Sequence, residues 1–149
     1  FGEVVGSLTR DQALSRQVGT WGLAIDRTFY LDGTLDASLA LLRQGRLDGQ
    51  GLQALEASSR WLIKDGVFTL SCLGYRALAY LEHARGRRAH AREALRSCLM
   101  ISATNTANYY RWQCLGTARD LGELTVDQER ELRALDAGYG FVVPSGWRS

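Results

Sequence analysis

The sequence predicts an all-α protein, an array of about six to seven antiparallel helices joined by short turns. Apolar residues recur with the 3.6-residue period of a helix through most of the chain, and a glycine-containing phrase separates the periodic segments. No segment shows the sustained apolar–polar alternation, flanked by hairpin turns, that is typical of strands. Because the connections are short, consecutive helices should run antiparallel, as in a helical-hairpin bundle that is loosely repeat-like.

A phrase of the form Gly-x-Leu-[Thr/Asp] indicates where one helix ends and the next begins. It occurs at residues 6–9, 33–36, 45–48 and 122–125, and at 66–69 with phenylalanine replacing leucine. Glycine accepts the left-handed conformation that ends a helix, and the apolar residue packs on the next helix as a hydrophobic staple. Thr or Asp then caps the free N–H groups of that helix. The phrase predicts helix starts near residues 10, 37, 49, 70 and 126.

The periodic segments between these turns give the helices in chain order. A long first helix carries Leu14, Val18, Trp21, Ile25 and Phe29 on one face, and two shorter helices follow with Leu39, Leu42, Leu52, Leu55 and Leu62. Residues 69–81 carry one charge, Arg76, and are otherwise apolar nearly all round, which predicts a central helix surrounded by others. The remaining helices have apolar faces at Ala91, Ala94, Leu95 and Cys98, then at Tyr109 and Trp112, and finally between about Val126 and Ala137.

Residues 1–137 are therefore predicted to form one helical domain, with residues 138–149 as a non-helical tail packed on it. Glycine and proline stop a helix in the tail, whereas its aromatic side chains are too apolar to leave in water. We expect Tyr139, Phe141 and Trp147 to cover a groove of the domain. The alternative is that they anchor a partner protein, since buried aromatic residues dominate the energetics of interfaces.

The charges are nearly balanced over the whole chain but are unevenly distributed along it. Eighteen basic and sixteen acidic residues give a net charge of +2, which disfavours nucleic acid as a partner. Arginines cluster at the turn between the fourth and fifth helices, and acids predominate in residues 119–136. The cluster of Arg85, Arg87, Arg88 and Arg92 is the candidate site for a small anion or for a partner protein, because guanidinium groups fork onto carboxylates and phosphates. We expect Arg85, Arg87 and Arg88 at this turn to be exposed.

Cysteine and histidine positions suggest no catalytic or metal centre. Counting outward from the predicted turns places Cys72, Cys98 and Cys114 at one level of neighbouring helices. Core packing is the favoured interpretation, with a Cys72–Cys98 disulfide or a thiolate metal cluster as alternatives. His83 and His90 flank the arginine-rich turn, where two imidazoles are too few for zinc unless nearby carboxylates complete the site. We expect exposed histidines, no metal and no cofactor.

These observations favour binding over catalysis. The chain contains none of the nucleophile-elbow, phosphate-loop, zinc-protease or calcium-loop motifs. Its longest uncharged run, residues 97–110, is shorter than the about 20 residues that a membrane span requires. We expect a non-catalytic helical module that binds another protein, such as an adaptor, chaperone or inhibitor. Seventeen of the eighteen basic residues are arginine, which a GC-rich bacterial genome would explain. The alternative is a small enzyme or ligand-binding domain that holds an anionic group at the arginine-rich turn. Because the chain begins with Phe1 rather than methionine, cytoplasmic and secreted or periplasmic locations both stay open.

Overall fold

The computed structural model describes residue 30 and residues 34–65, 71–104 and 108–139. Within these ranges the chain forms six helices and no strand, which confirms the all-α prediction. The helices are α1 (34–43), α2 (Gly49–Asp65), α3 (Ser71–Ala84), α4 (Arg88–Ala103), α5 (Asn108–Asp120) and α6 (Val126–Tyr139). The predicted first helix, the phrase at 66–69 and residues 140–149 of the tail lie outside the described residues. None of the described helices has the length and apolarity to cross a membrane.

The turn between α1 and α2 follows the predicted phrase. Gly45 has a φ of +67°, and the next N–H, that of Arg46, donates to the carbonyl of Leu41 at 2.9 Å. This bond and the left-handed glycine close a Schellman turn. Asp48 then accepts a 2.7 Å hydrogen bond from the Gly51 N–H, so that α2 begins with a capped first turn at the predicted position.

The turn between α5 and α6 repeats this arrangement. Gly122 has a φ of +71°, and the capping box is complete: the Gln128 N–H donates to Thr125 Oγ1 at 3.2 Å, while Gln128 Oε1 accepts from the Thr125 N–H at 3.1 Å. The helix α6 begins at Val126 as predicted and ends at Tyr139, two residues beyond the predicted end. Gly138 lies inside the helix, since a single glycine costs a helix only about 1 kcal/mol relative to alanine.

The predicted helix start near residue 37 was wrong, because residues 34–36 are already helical. Leu35 and Leu39, one helical turn apart, are both buried with 3% of their surface exposed, and this shared face extends the helix toward the N-terminus. Asp36 does not cap a helix that starts at residue 37. Its Oδ1 instead accepts a 2.9 Å hydrogen bond from Nη1 of Arg76 on α3.

The helix α3 is central, as its nearly uniform apolarity predicted. It packs against α2, α4 and α5, and these contacts bury Leu62 of α2, Leu73 and Leu81 of α3, and Leu115 of α5 almost completely. The helices α2 and α3 approach closely at Gly74, which lies against Ser59 on α2. A Cβ atom built on Gly74 would lie 2.5 Å from the Ser59 carbonyl oxygen, so only glycine fits at this crossing.

The three cysteines lie together in this core, on α3, α4 and α5. Cys72, Cys98 and Cys114 have no exposed surface, and the structure contains them as thiols rather than as a disulfide. Hydrogen bonds from Cys72 and Cys98 lower the pKa of Cys114, whereas the hydrogen bond to Cys114 and burial raise the pKa of Cys98. The favoured interpretation, in which the cysteines are small core residues, agrees with this arrangement.

A half-buried polar network joins α1, α3 and α5. Arg76 donates to Thr117 at 3.0 Å in addition to Asp36, and the Tyr80 hydroxyl donates to Asp120 at 2.6 Å. Burial raises the pKa of Tyr80 to about 12, so the phenol stays protonated and can keep donating. The network fixes α1 and α5 against the central helix and satisfies polar groups that would otherwise be desolvated.

Polar contacts also hold α6 against the bundle. Arg111 of α5 donates to both carboxylate oxygens of Glu131, at 2.7 and 2.9 Å, and to the carbonyl of Leu99 on α4. The Trp112 indole donates to Asp136 at 2.7 Å. Arg111 therefore joins α4, α5 and α6 through a single guanidinium group.

The ion pair of Glu131 with Arg111 predicts a pH-dependent contribution to stability. Arg111 lowers the pKa of Glu131 below its ordinary value of 4.5, so the stabilisation is complete above that value and is lost as the pH falls through the lowered pKa. We expect Glu131→Gln to reduce the free energy of unfolding at pH 7 by less than about 1 kcal/mol, because Glu131 is partly exposed. Urea titrations between pH 7 and 3 should show this difference shrinking toward zero. A constant difference over that range would contradict the assignment.

Candidate anion-binding and partner-binding surface

The arginine-rich turn joins α3 to α4 through a left-handed glycine. Gly86 has a φ of +75°, its N–H donates to the His83 carbonyl at 3.0 Å, and the Arg87 N–H donates to the Glu82 carbonyl at 2.9 Å. These two bonds form a third Schellman turn. The chain reverses within three residues, so that Arg85 lies beside α2, whereas Arg88 lies beside the turn that precedes α6.

Arg85 and Arg87 point toward carboxylates of the protein itself. Arg85 forms ion pairs with Glu56 of α2 at 2.9 Å and with Glu82 at 3.1 Å, and Arg87 lies 3.5 Å from the second oxygen of Glu82. Glu82 is only 4% exposed, so its charge needs these partners. Hydrogen bonds from Arg85 and Arg60 lower the pKa of Glu56, which keeps this carboxylate ionised.

This arrangement corrects one expectation about the turn. The sequence predicted that Arg85, Arg87 and Arg88 would all be exposed, but the Arg85 side chain is only 26% exposed and forms two ion pairs. Arg87 and Arg88 are exposed as expected. Arg85 therefore links α2 to α3, and its guanidinium group already forms ion pairs with two carboxylates of the protein.

Arg88 and Arg92 belong instead to a row of cations on α4. Arg88, Arg92 and Arg96 recur at four-residue spacing, so they lie along one side of the helix over about 12 Å. All three are exposed. We call them the arginine row. Arg88 and Arg96 form no ion pair with any described residue, whereas Arg92 pairs with Glu123 in the turn before α6 at 2.7 Å. Arg96 was not among the predicted site residues, although its spacing from Arg92 is visible in the sequence.

A shallow groove runs between the start of α4 and the turn before α6. Its lining residues are His83, Arg88, Ala91, Arg92, Leu95, Leu121 and Glu123. The groove combines two guanidinium groups with an apolar floor of two leucines. The cap residue of α4, Arg87, makes no side-chain hydrogen bond to the first turn, so the N–H groups there lack a side-chain cap. The groove can therefore offer hydrogen-bond donors and positive charge, and it contains one carboxylate that competes for them.

Of the two candidate histidines, His83 lines this groove, whereas His90 is not among its lining residues. His83 and His90 are exposed, and the part of the chain that the structure describes contains no group of histidines, cysteines and acids suited to a metal ion. The proposed tail anchors Phe141 and Trp147 lie outside the described residues, and of Tyr139 only the backbone, at the end of α6, is described.

Comparisons of the chain with protein families, with characterised proteins and with solved structures find no match. The chemistry of the surface itself must therefore support any proposal about function.

Proposed function

We propose that the chain is a protein-binding helical module whose arginine row receives an acidic segment of a partner protein. The observation that supports this proposal is the pair Arg88 and Arg96. In the described part of the chain most arginines form an ion pair with a neighbouring carboxylate, whereas these two are exposed and form none. Two uncompensated guanidinium groups on one helix side, with Arg92 between them, complement carboxylates spaced along an extended or helical peptide.

The residue type favours binding over catalysis at this surface. Arginine stays protonated throughout the accessible pH range, so the row can supply charge and hydrogen bonds but cannot exchange a proton or attack a substrate. The row also lacks aromatic side chains on which bases could stack, which favours an acidic protein segment over a nucleic acid strand.

The second candidate function is binding of a small anion in the groove. The observation that favours it is the meeting of Arg88 and Arg92 at the start of α4, where no side chain caps the first turn. A phosphate or carboxylate there would meet two cations and the positive end of the helix dipole. Glu123 opposes this function, because it already occupies Arg92.

The test is a pair of charge-matched double variants. Arg88→Gln with Arg96→Gln should weaken binding of a fluorescein-labelled octaglutamate peptide by about threefold to tenfold, since exposed ion pairs contribute about 0.2–1 kcal/mol each. Fluorescence anisotropy at two salt concentrations measures the affinity, and the remaining binding should depend less on salt. The double variant should keep the melting temperature of the wild-type chain, because neither Arg88 nor Arg96 forms an ion pair with a described residue.

Arg46→Gln with Lys64→Gln is the matched control. These two cations are also exposed and form no ion pair with a described residue, and they lie outside the row. Equal weakening by both double variants would show attraction by net charge alone and would contradict the proposal. A rise in melting temperature with inorganic phosphate that Arg88→Gln removes, without binding of the peptide, would favour the small-anion function instead.

A further inference from the structure

We infer that Glu123 is an internal competitor that regulates access to Arg92, occupying it until a carboxylate of the partner takes its place. This inference rests on the proposed function of the arginine row. Glu123 Oε1 accepts a 2.7 Å hydrogen bond from Arg92 Nε, across 31 positions of the chain. The two side chains are 31% and 58% exposed, so the pair lies at the edge of the groove and is open to exchange.

The backbone presents Glu123 to Arg92 in a fixed position. Its N–H donates to the Ala118 carbonyl at 2.9 Å, directly after the left-handed Gly122. On either side of it, Leu121 and Leu124 pack against the cluster of buried residues formed by α3, α4 and α5. The turn is thus anchored on both sides of Glu123, and the carboxylate does not depend on a long flexible segment to reach Arg92.

The geometry of the pair leaves room for a second carboxylate. Glu123 engages Arg92 through Nε, and neither terminal nitrogen of Arg92 forms a hydrogen bond with a described residue. A partner carboxylate can therefore approach these nitrogens first and form a bidentate contact as Glu123 leaves. With two arginines and one glutamate in its lining, the groove carries a formal charge of +1, and it presents both arginines to the partner once Glu123 is displaced.

The ion pair between Glu123 and Arg92 is weak enough for a partner carboxylate to displace Glu123. Ion pairs at this exposure are weak, so the partner needs little of its binding free energy to displace one. A ligand with one carboxylate gains little from exchanging it for Glu123. A segment with several carboxylates also engages Arg88 and Arg96, which have no such competitor among the described residues, so the arrangement selects for acidic segments over single anions.

The test compares two Glu→Gln variants in the same peptide assay. Glu123→Gln should bind the labelled octaglutamate peptide about twofold to fivefold more tightly than the wild-type chain. Glu129→Gln is the control, because Glu129 forms an ion pair of the same 2.7 Å length with Arg133 on α6. The two substitutions change the net charge by the same amount. In an Arg92→Gln background the gain from Glu123→Gln should disappear, since the competition acts through Arg92.

The outcomes separate this inference from the proposed function. Wild-type binding that Arg88→Gln and Arg96→Gln weaken, combined with equal gains in Glu123→Gln and Glu129→Gln, would overturn the role of Glu123 and leave the arginine row in place. A gain that persists in the Arg92→Gln background would also overturn it. Absence of peptide binding in every variant would overturn the proposed function and this inference with it.

Discussion

Replacing Gly74 with alanine is expected to reduce the free energy of unfolding by at least about 2 kcal/mol, because the added methyl group cannot be accommodated between α2 and α3. Its Cβ would lie 2.5 Å from the Ser59 carbonyl oxygen and 2.9 Å from the Leu62 Cβ. Both neighbours are close to the backbone, so the helices themselves must separate. Urea denaturation followed by circular dichroism measures the loss.

The same substitution at Gly116 provides the control. Gly116 lies within α5, and a Cβ atom added there would meet nothing closer than the end of the Arg119 side chain, at 3.9 Å. Gly116→Ala should therefore stabilise the chain by up to about 1 kcal/mol through helix propensity alone. If the two variants changed stability in the same direction and by similar amounts, the close approach at Gly74 would be refuted.

Replacing Arg85 with methionine is expected to destabilise the chain by about 2 kcal/mol, less than the roughly 3–5 kcal/mol for breaking a fully buried pair. The variant removes the nearest partner of Glu82, which is 4% exposed, and leaves it only the longer contact to Arg87. Urea denaturation at pH 7, followed by circular dichroism, measures the loss.

Arg60→Met is the matched comparison for Arg85→Met. Arg60 also pairs with Glu56, at 3.0 Å, but its side chain is 62% exposed. Its loss should cost no more than about 0.5 kcal/mol, as for other exposed pairs on one helix. An equally small effect of Arg85→Met would show that Glu82 is well solvated, and the exposed turn that the sequence predicted would then be the better description.

Much of the fold could be predicted because turn chemistry is local. The turns at the left-handed Gly45 and Gly122 are closed by bonds between residues five positions apart, and the caps at Asp48 and Thr125 join residues three positions apart. The same reasoning failed at residues 33–36, where a distant contact decides the outcome. Burial of Leu35 in the core outweighs the capping tendency of Asp36, and no local pattern encodes the position of Arg76.

The candidate surface was only partly predictable for the same reason. Clustering in the sequence grouped Arg85 with Arg88, but the reversal at Gly86 places Arg85 beside α2 and Arg88 beside the turn that precedes α6. A three-residue spacing from Glu82 to Arg85 is ordinary on helices, and it does not reveal that Glu82 is buried. The role of Glu123 depends on a contact with Arg92, 31 positions away in the chain. The separate basic and acidic stretches of the sequence do not show which arginine pairs with which acid.

The three thiols on α3, α4 and α5 allow transient opening of the bundle's centre to be measured by their reaction with a thiol reagent. Because Cys72, Cys98 and Cys114 have no exposed surface, a thiol reagent in solution reaches them only in molecules whose central helices have transiently separated. When that separation is fast and reversible, the alkylation rate in denaturant-free buffer is proportional to the fraction of open molecules. The alkylation rate of the three native cysteines therefore measures how often the core opens, and no label has to be introduced.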